Sequence, residues 1–294
     1  IYKYYVDCNQ DKTLFFEIYK NNGFVENLDL KIVHSKKYKI FQEFDSDYKI
    51  EDGKIAFHHF INRMSFWMAT GSGKTLVIVK LLELLGNLIK NNLIPANAIL
   101  FLTHREDLIE QFKNHIYEFN ASNSFNINLF DLKDFEKIKR ENKLNWQNYL
   151  DVFYYRSDLI SDEQKEKIID FRNYDNNGKW YILLDEAHKG DKEDSKRQFY
   201  YSILSRNGFL FNFSATFTDP IDFVTCVFNF NLERFIQDGY GKHIYISKSN
   251  IGAISDKNDY TENQKKLIIT KILLLHTLIS KIKLSLKNYY HKPL

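Results

Sequence analysis

Between residues 64 and 216 the chain alternates short, unbroken apolar runs with longer stretches in which apolar residues recur every three to four positions. The short runs are 64–68 (MSFWM), 98–103 (AILFLT), 151–155 (DVFYY), 180–185 (WYILLD) and 208–216 (GFLFNFSAT). The longer ones are 73–89 (GKTLVIVKLLELLGNLI) and 105–119 (REDLIEQFKNHIYEF). An apolar run without polar alternation is a strand covered on both faces, and such strands separated by helices form a parallel sheet. The pattern predicts an α/β, doubly wound domain. Before it, residues 1–53 read as short aromatic-rich strands and turns, such as KYKIF and LFFEIY, broken at Gly23 and Gly53. After it, NLERFIQDGYGKHIYIS predicts a helix closing at Gly239 and a returning strand over 242–247. A polar turn and a long amphipathic helix from about 261 to 286 follow.

Three of the predicted strands end in residues suited to chemistry. The first runs into Thr70-Gly71-Ser72-Gly73-Lys74-Thr75 at the start of a helix. A small-residue turn there aims backbone N–H groups and the positive end of the helix at one point, which suits a triphosphate. Lys74 can reach phosphate oxygens and Thr75 can offer its hydroxyl to Mg²⁺. The strict pattern asks for glycine at position 68, where this chain has Met68. The second is YILLDEAHKG, with Asp185 and Glu186 at the carboxyl end of a strand, where open parallel sheets bind ligands. Asp185 is placed to hold Mg²⁺ and Glu186 to orient and deprotonate water; two carboxylates alone would equally read as a solvated acidic turn. His188 alone reads as a surface histidine or a metal ligand, and no companion ligands at usable spacing support a metal. The third is FNFSATF, with Ser214 and Thr216, which gain meaning from their place after the other two.

Composition narrows the setting. Of 294 residues, 44% are hydrophobic and 16% aromatic, ample for a folded core. A net charge of +3, from 41 Lys+Arg against 38 Asp+Glu, decides nothing about partners. Cys8 and Cys226 lack CxxC spacing and read as idle thiols in a reducing compartment. No apolar run reaches 18 residues, and the longest candidate, 267–286, is cut by Lys271, Lys281 and Lys283, so no membrane partner is expected. Without an initiator methionine or signal peptide, the chain is expected to be a piece of a cytoplasmic protein.

GSGKT, DEAH and SAT, in this order on successive strands, resemble motifs I, II and III of superfamily 2 helicases and translocases, over about residues 56–247. Within that superfamily the wording is similar to the motor subunits of Type I and Type III restriction enzymes. Met68 to Thr75 fits their M-x-T-G-x-G-K-T form, ILFLTHREDLIEQF resembles their motif Ia, and the block after SAT resembles the Type III pattern. The resemblance implies a RecA-like first motor domain, ATP and Mg²⁺ as cofactors, and double-stranded DNA as partner. It implies that Lys74 and Thr75 bind nucleotide and metal, and that Asp185 and Glu186 serve metal and water. Ser214, Thr216 and His188 would couple that site to DNA, which Thr103, His104 and Arg105 would contact, with Tyr155, Arg156 and Ser157 as weaker candidates. Arg105 reads equally as a solvated arginine at a helix start. Other superfamily 2 readings, an RNA helicase or a nucleic-acid-binding module with a vestigial ATP site, stay open.

The resemblance also fails in places. Gln42 lies far upstream of the loop, so no glutamine motif that reads adenine is evident, and Lys54, His58 and His59 are the substitutes nearest to it. No arginine finger follows residue 247, so a second RecA-like domain of the same parent chain is expected, with weak hydrolysis without it. HSKKYKIF and ENK carry no convincing nuclease; a nuclease domain and a methyltransferase subunit are further partners that the family implies. The expected organisation is an appendage at 1–55, a first RecA-like domain at 56–247, and a linker and helix at 248–294.

Overall fold

A computed structural model describes residues 1–21, 28–32, 37–44, 46–141, 149–187, 196–240, 266 and 269–270. The chain divides into two units, Ile1–Lys242 and His243–Leu294. Of the second unit only residues 266, 269 and 270 are described, and all three are helical. The strand expected at 242–247, the rest of the long helix and His188 lie outside the described residues.

The first unit is built on a seven-stranded sheet of β4 (Arg63–Met68), β5 (Ala98–Thr103), β6 (Asn126–Asp131), β7 (Tyr149–Arg156), β10 (Trp180–Asp185), β11 (Phe209–Ser214) and β12 (Cys226–Phe230). Smaller pairings come from β1 (Leu30–Lys31), β2 (Ile50–Glu51) and β3 (Lys54–Ile55), and from β8 (Ile160–Ser161) with β9 (Ile169–Asp170). The large sheet runs β12-β4-β11-β10-β5-β7-β6, and every pairing in it is parallel. Helices α3 (Lys74–Lys90), α4 (Glu106–Ser122), α5 (Phe135–Arg140), α6 (Lys196–Leu204), α7 (Pro220–Val224) and α8 (Leu232–Gln237) connect or follow its strands, while α1 (Lys12–Asn21) and α2 (Lys37–Gln42) precede it. This is the expected RecA-like doubly wound architecture. Its centre is β10, where Trp180, Tyr181, Ile182, Leu183 and Leu184 are each at most 2% exposed. Each such side chain contributes about 1.5–3 kcal/mol of burial.

One polar pair interrupts this apolar centre. Ser65 and Asn212 face each other across β4 and β11, and both donate to Asp222 Oδ1, at 2.9 and 2.7 Å. Burial pushes the Asp222 carboxyl up to about 6, against the pull of Arg63 and of these two donors. The node fastens α7 under the edge that carries β12.

Residues 1–55 hold short strands in β1, β2 and β3, but the two segments expected to be strands are helices. LFFEIY lies in α1 and KYKIF in α2. Asp11 caps α1 by accepting from the N–H groups of Thr13 and Leu14, and Phe15, Ile18 and Tyr19 recur at helical spacing toward the core. The segment belongs to the same unit as the sheet and covers the amino ends of its central strands. Tyr4 lies against Phe209 and Tyr5 against Tyr181, the first residue and second residue of their strands. Tyr48 donates to Ser202 O at 2.9 Å, and Arg206 bridges Asp47 and Asp175.

Gly208, which directly precedes β11, sits against the backbone of Trp180; a Cβ there would overlap the Trp180 carbonyl. Because backbone cannot swing aside as a side chain can, Gly208→Ala is expected to destabilise the domain by about 3 kcal/mol or more, read as a lowered denaturant midpoint.

Candidate functional site

The loop after β4 is shaped by two glycines. Gly71 and Gly73 stand at φ +82° and +90°, a region that favours glycine, and nothing lies within 4 Å of where either Cβ would be. A ligand can therefore approach that backbone closely at the amino end of the 17-residue α3. Met68, the irregular position, is the last residue of β4, buried and paired with Phe230 of β12. The turn starts after it, so a side chain packs where the strict pattern has glycine. Ser72 Oγ is buried and has no partner among the described residues.

Across from the loop, β10 delivers Asp185 and Glu186. Glu186 adopts φ +59°, strained for a residue with a Cβ, and its N–H donates to Asp185 Oδ1 at 3.0 Å. Its side chain forms an ion pair with Lys74, Nζ to Oε1 2.8 Å, both side chains largely buried. Burial pushes the Asp185 carboxyl up to about 6; Lys74 works against the shift and Glu186 adds to it. Loop, lysine and both carboxylates thus meet at one place. The arrangement can hold a polyanion at the loop, a cation at Asp185 and a water at Glu186.

Between these two strands lies β11. Ser214 Oγ accepts from Thr216 N–H at 3.0 Å and donates to Thr216 O at 2.9 Å, closing a tight turn. Trp67, which sequence reasoning passed over, donates from Nε1 to Ala215 O at 2.9 Å and lies against Phe217 and Phe223. It ties the SAT turn to the strand that feeds the loop. Its only sequence signal was its position directly before Met68.

The candidate nucleic-acid residues continue the same row, at the ends of β5 and β7. Thr103 and Arg156 are register partners. Arg105 stands at the N-cap position of α4, its side chain in an exposed ion pair with Asp107, and Arg156 forks onto Asp158 at 2.6 and 3.1 Å. His104 is half-buried. Thr103 is fully buried. Tyr155 is 6% exposed and donates its hydroxyl to Lys167 O at 2.8 Å. Neither presents a surface to a backbone phosphate, which corrects their placement among the contacts. The residues offered as substitutes for an adenine reader are also elsewhere: Lys54 ends in β3, and His58 and His59 lie in the turn Phe57–Phe60 ahead of β4. The loop is at the other end of that six-residue strand, roughly 20 Å away.

The UvsW helicase from bacteriophage T4 is a solved structure that is similar at 13% identity over 75% of this chain and 76% of that one, with a TM-score of 0.34. Among curated proteins none matches. The family described as Type III restriction enzyme, res subunit, matches residues 34–219. That match begins upstream of α2, and it contains the loop, Asp185, Glu186, Ser214 and Thr216. The chain belongs to the Type III restriction enzyme res subunit family.

Proposed function

We propose that this domain is the ATP-binding half of an ATP-dependent translocase of restriction type, which couples hydrolysis to movement on duplex DNA. The observation that carries the reading is the Lys74–Glu186 ion pair beside Asp185, opposite a loop with two left-handed glycines. The residues present fit ATP with Mg²⁺. Backbone N–H groups from Thr70 to Thr75 and the Lys74 ammonium bind the phosphate chain, and Thr75 and Asp185 hold the metal. Mg²⁺, when bound, neutralises charge that develops on the phosphate oxygens. As Lys74 turns to phosphate it releases the Glu186 carboxylate, which then orients the attacking water and accepts its proton.

His104, Arg105 and Arg156 supply the contacts to the DNA backbone. Such contacts are blind to sequence, as a translocating motor requires. Ser214 and Thr216 couple the two sites through the turn between them, and His188 completes that coupling. The arginine that stabilises the transition state comes from a second RecA-like domain of the same protein. A nuclease domain and a methyltransferase partner belong to the same reading, as does a cytoplasmic setting. Among the described residues no helix is long and apolar enough to cross a membrane. A helicase acting on RNA is the second reading.

Lys74→Ala is expected to weaken ATP binding by roughly 10- to 100-fold, measured by titration of a fluorescent nucleotide. Glu186→Gln should leave binding intact and cut turnover by about 10²–10⁴, the range of a lost general base; normal turnover in that variant would refute its role. In the full-length protein, linear duplex DNA should raise ATP turnover, and stimulation by RNA with none by DNA would overturn the restriction-type reading.

A further inference from the structure

Helix α6 is fastened to both halves of the candidate machinery. On one side the buried Tyr201 hydroxyl donates to Ser157 O at 2.9 Å, and the Arg197 guanidinium reaches Asp158 O at 3.3 Å. Both carbonyls belong to the turn that directly follows Arg156, and Asp158 is the residue that clasps it. On the other side the Gln198 amide, itself buried, donates to Ala187 O at 3.2 Å. That carbonyl belongs to the residue after Glu186. Between the two attachments is a small, partly open cavity of about 10 Å³, walled by His104, Glu186, Arg197 and Tyr201 among others. It has the size of a single water.

The back of α6 is held as firmly. Ser202 accepts from Tyr48 at its carbonyl and from Arg63 at its hydroxyl, at 2.9 and 2.8 Å. A helix is a rigid element, so a displacement imposed at one of its bonded sides is carried to the other. The side at Glu186 is sensitive to such a pull. Its left-handed backbone is strained, and the groups that hold the strained turn are Asp185 Oδ1 before it and Gln198 after it. By strand spacing the Arg156 end and the Glu186 end are two strands apart, roughly 10 Å.

We propose that Arg197, Gln198 and Tyr201 are positioning residues, which transmit backbone contact at the turn after Arg156 to the Glu186 carboxylate through α6. Engagement of a nucleic-acid phosphate by Arg156 loosens its clasp on Asp158, the carbonyls of 157 and 158 shift, and α6 carries that shift to the peptide at 187. The reach of Glu186 toward Lys74 or toward water changes with it. This coupling rests on the reading of Glu186 as the water-activating base, and it is separate from the turn at Ser214.

The test uses the full-length protein with Tyr201→Phe and, independently, Gln198→Met. ATP affinity, affinity for a linear duplex DNA, melting temperature, and ATP turnover with and without that DNA are measured for each. The expected result is unchanged KM and both affinities, an unchanged basal rate, and a stimulation by DNA reduced by about fivefold or more. Full stimulation in both variants, with Glu186→Gln inactive, overturns the coupling and leaves the catalytic assignment standing. Basal and stimulated rates that fall together with the melting temperature also overturn it, because α6 would then be a structural element only. Normal turnover by Glu186→Gln defeats the underlying reading, and this proposal with it.

Discussion

Parallel register is the constraint on which the rest depends. With every pairing in the large sheet parallel, all carboxyl ends fall on one edge. The register then aligns them residue by residue: Ser214 faces Trp67, Phe213 faces Asp185, Leu184 faces Leu102, and Thr103 faces Arg156. At about 4.8 Å per strand, the row from the loop to Arg156 spans roughly 20 Å. No residue in it needs a long excursion to reach its neighbour. A slip of one residue at any pairing would turn a whole strand over and remove its terminal group from the row.

The opposite edge is closed by the first 55 residues. Tyr4, Tyr5 and Tyr48 cover the amino ends of β10 and β11 and the back of α6, and the Arg206 ion pairs bind the same segment to the unit. The removal of one member of such a buried charged group costs more than the group contributes as a whole, because the remaining partner is left without compensation. One end of the sheet is thus tied down by these contacts.

The division between what the sequence discloses and what it hides follows the same logic. Strands buried on both faces are unbroken apolar runs, so β5 and β10 were legible to the residue and β4 and β11 to within a few. Strand β6 was not, because as an edge strand it carries Asn126, Asn128 and Asp131, which interrupt the apolar run. The helix α1 was mistaken for strand because aromatic residues favour extended structure locally, while the spacing of Phe15, Ile18 and Tyr19 and the cap at Asp11 argued otherwise. In the site, the loop and both carboxylates could be found from residue type and order alone. The roles of Trp67, Gln198 and Tyr201 could not, since each acts on a backbone carbonyl that sequence does not mark. Tyr155 shows the reverse error: a residue adjacent in sequence to a surface arginine, turned inward by the alternation of its strand.

The ion pair between Lys74 and Glu186 bears on selectivity. A small anion that enters the loop alone gains the lysine only by stripping the glutamate of its countercharge, so part of the attraction is cancelled on arrival. A ligand that brings a cation along with its negative charge leaves neither side chain uncompensated. On the reading proposed above, the pair thus weakens the attraction of the loop for a small bare anion relative to a nucleotide that carries its metal.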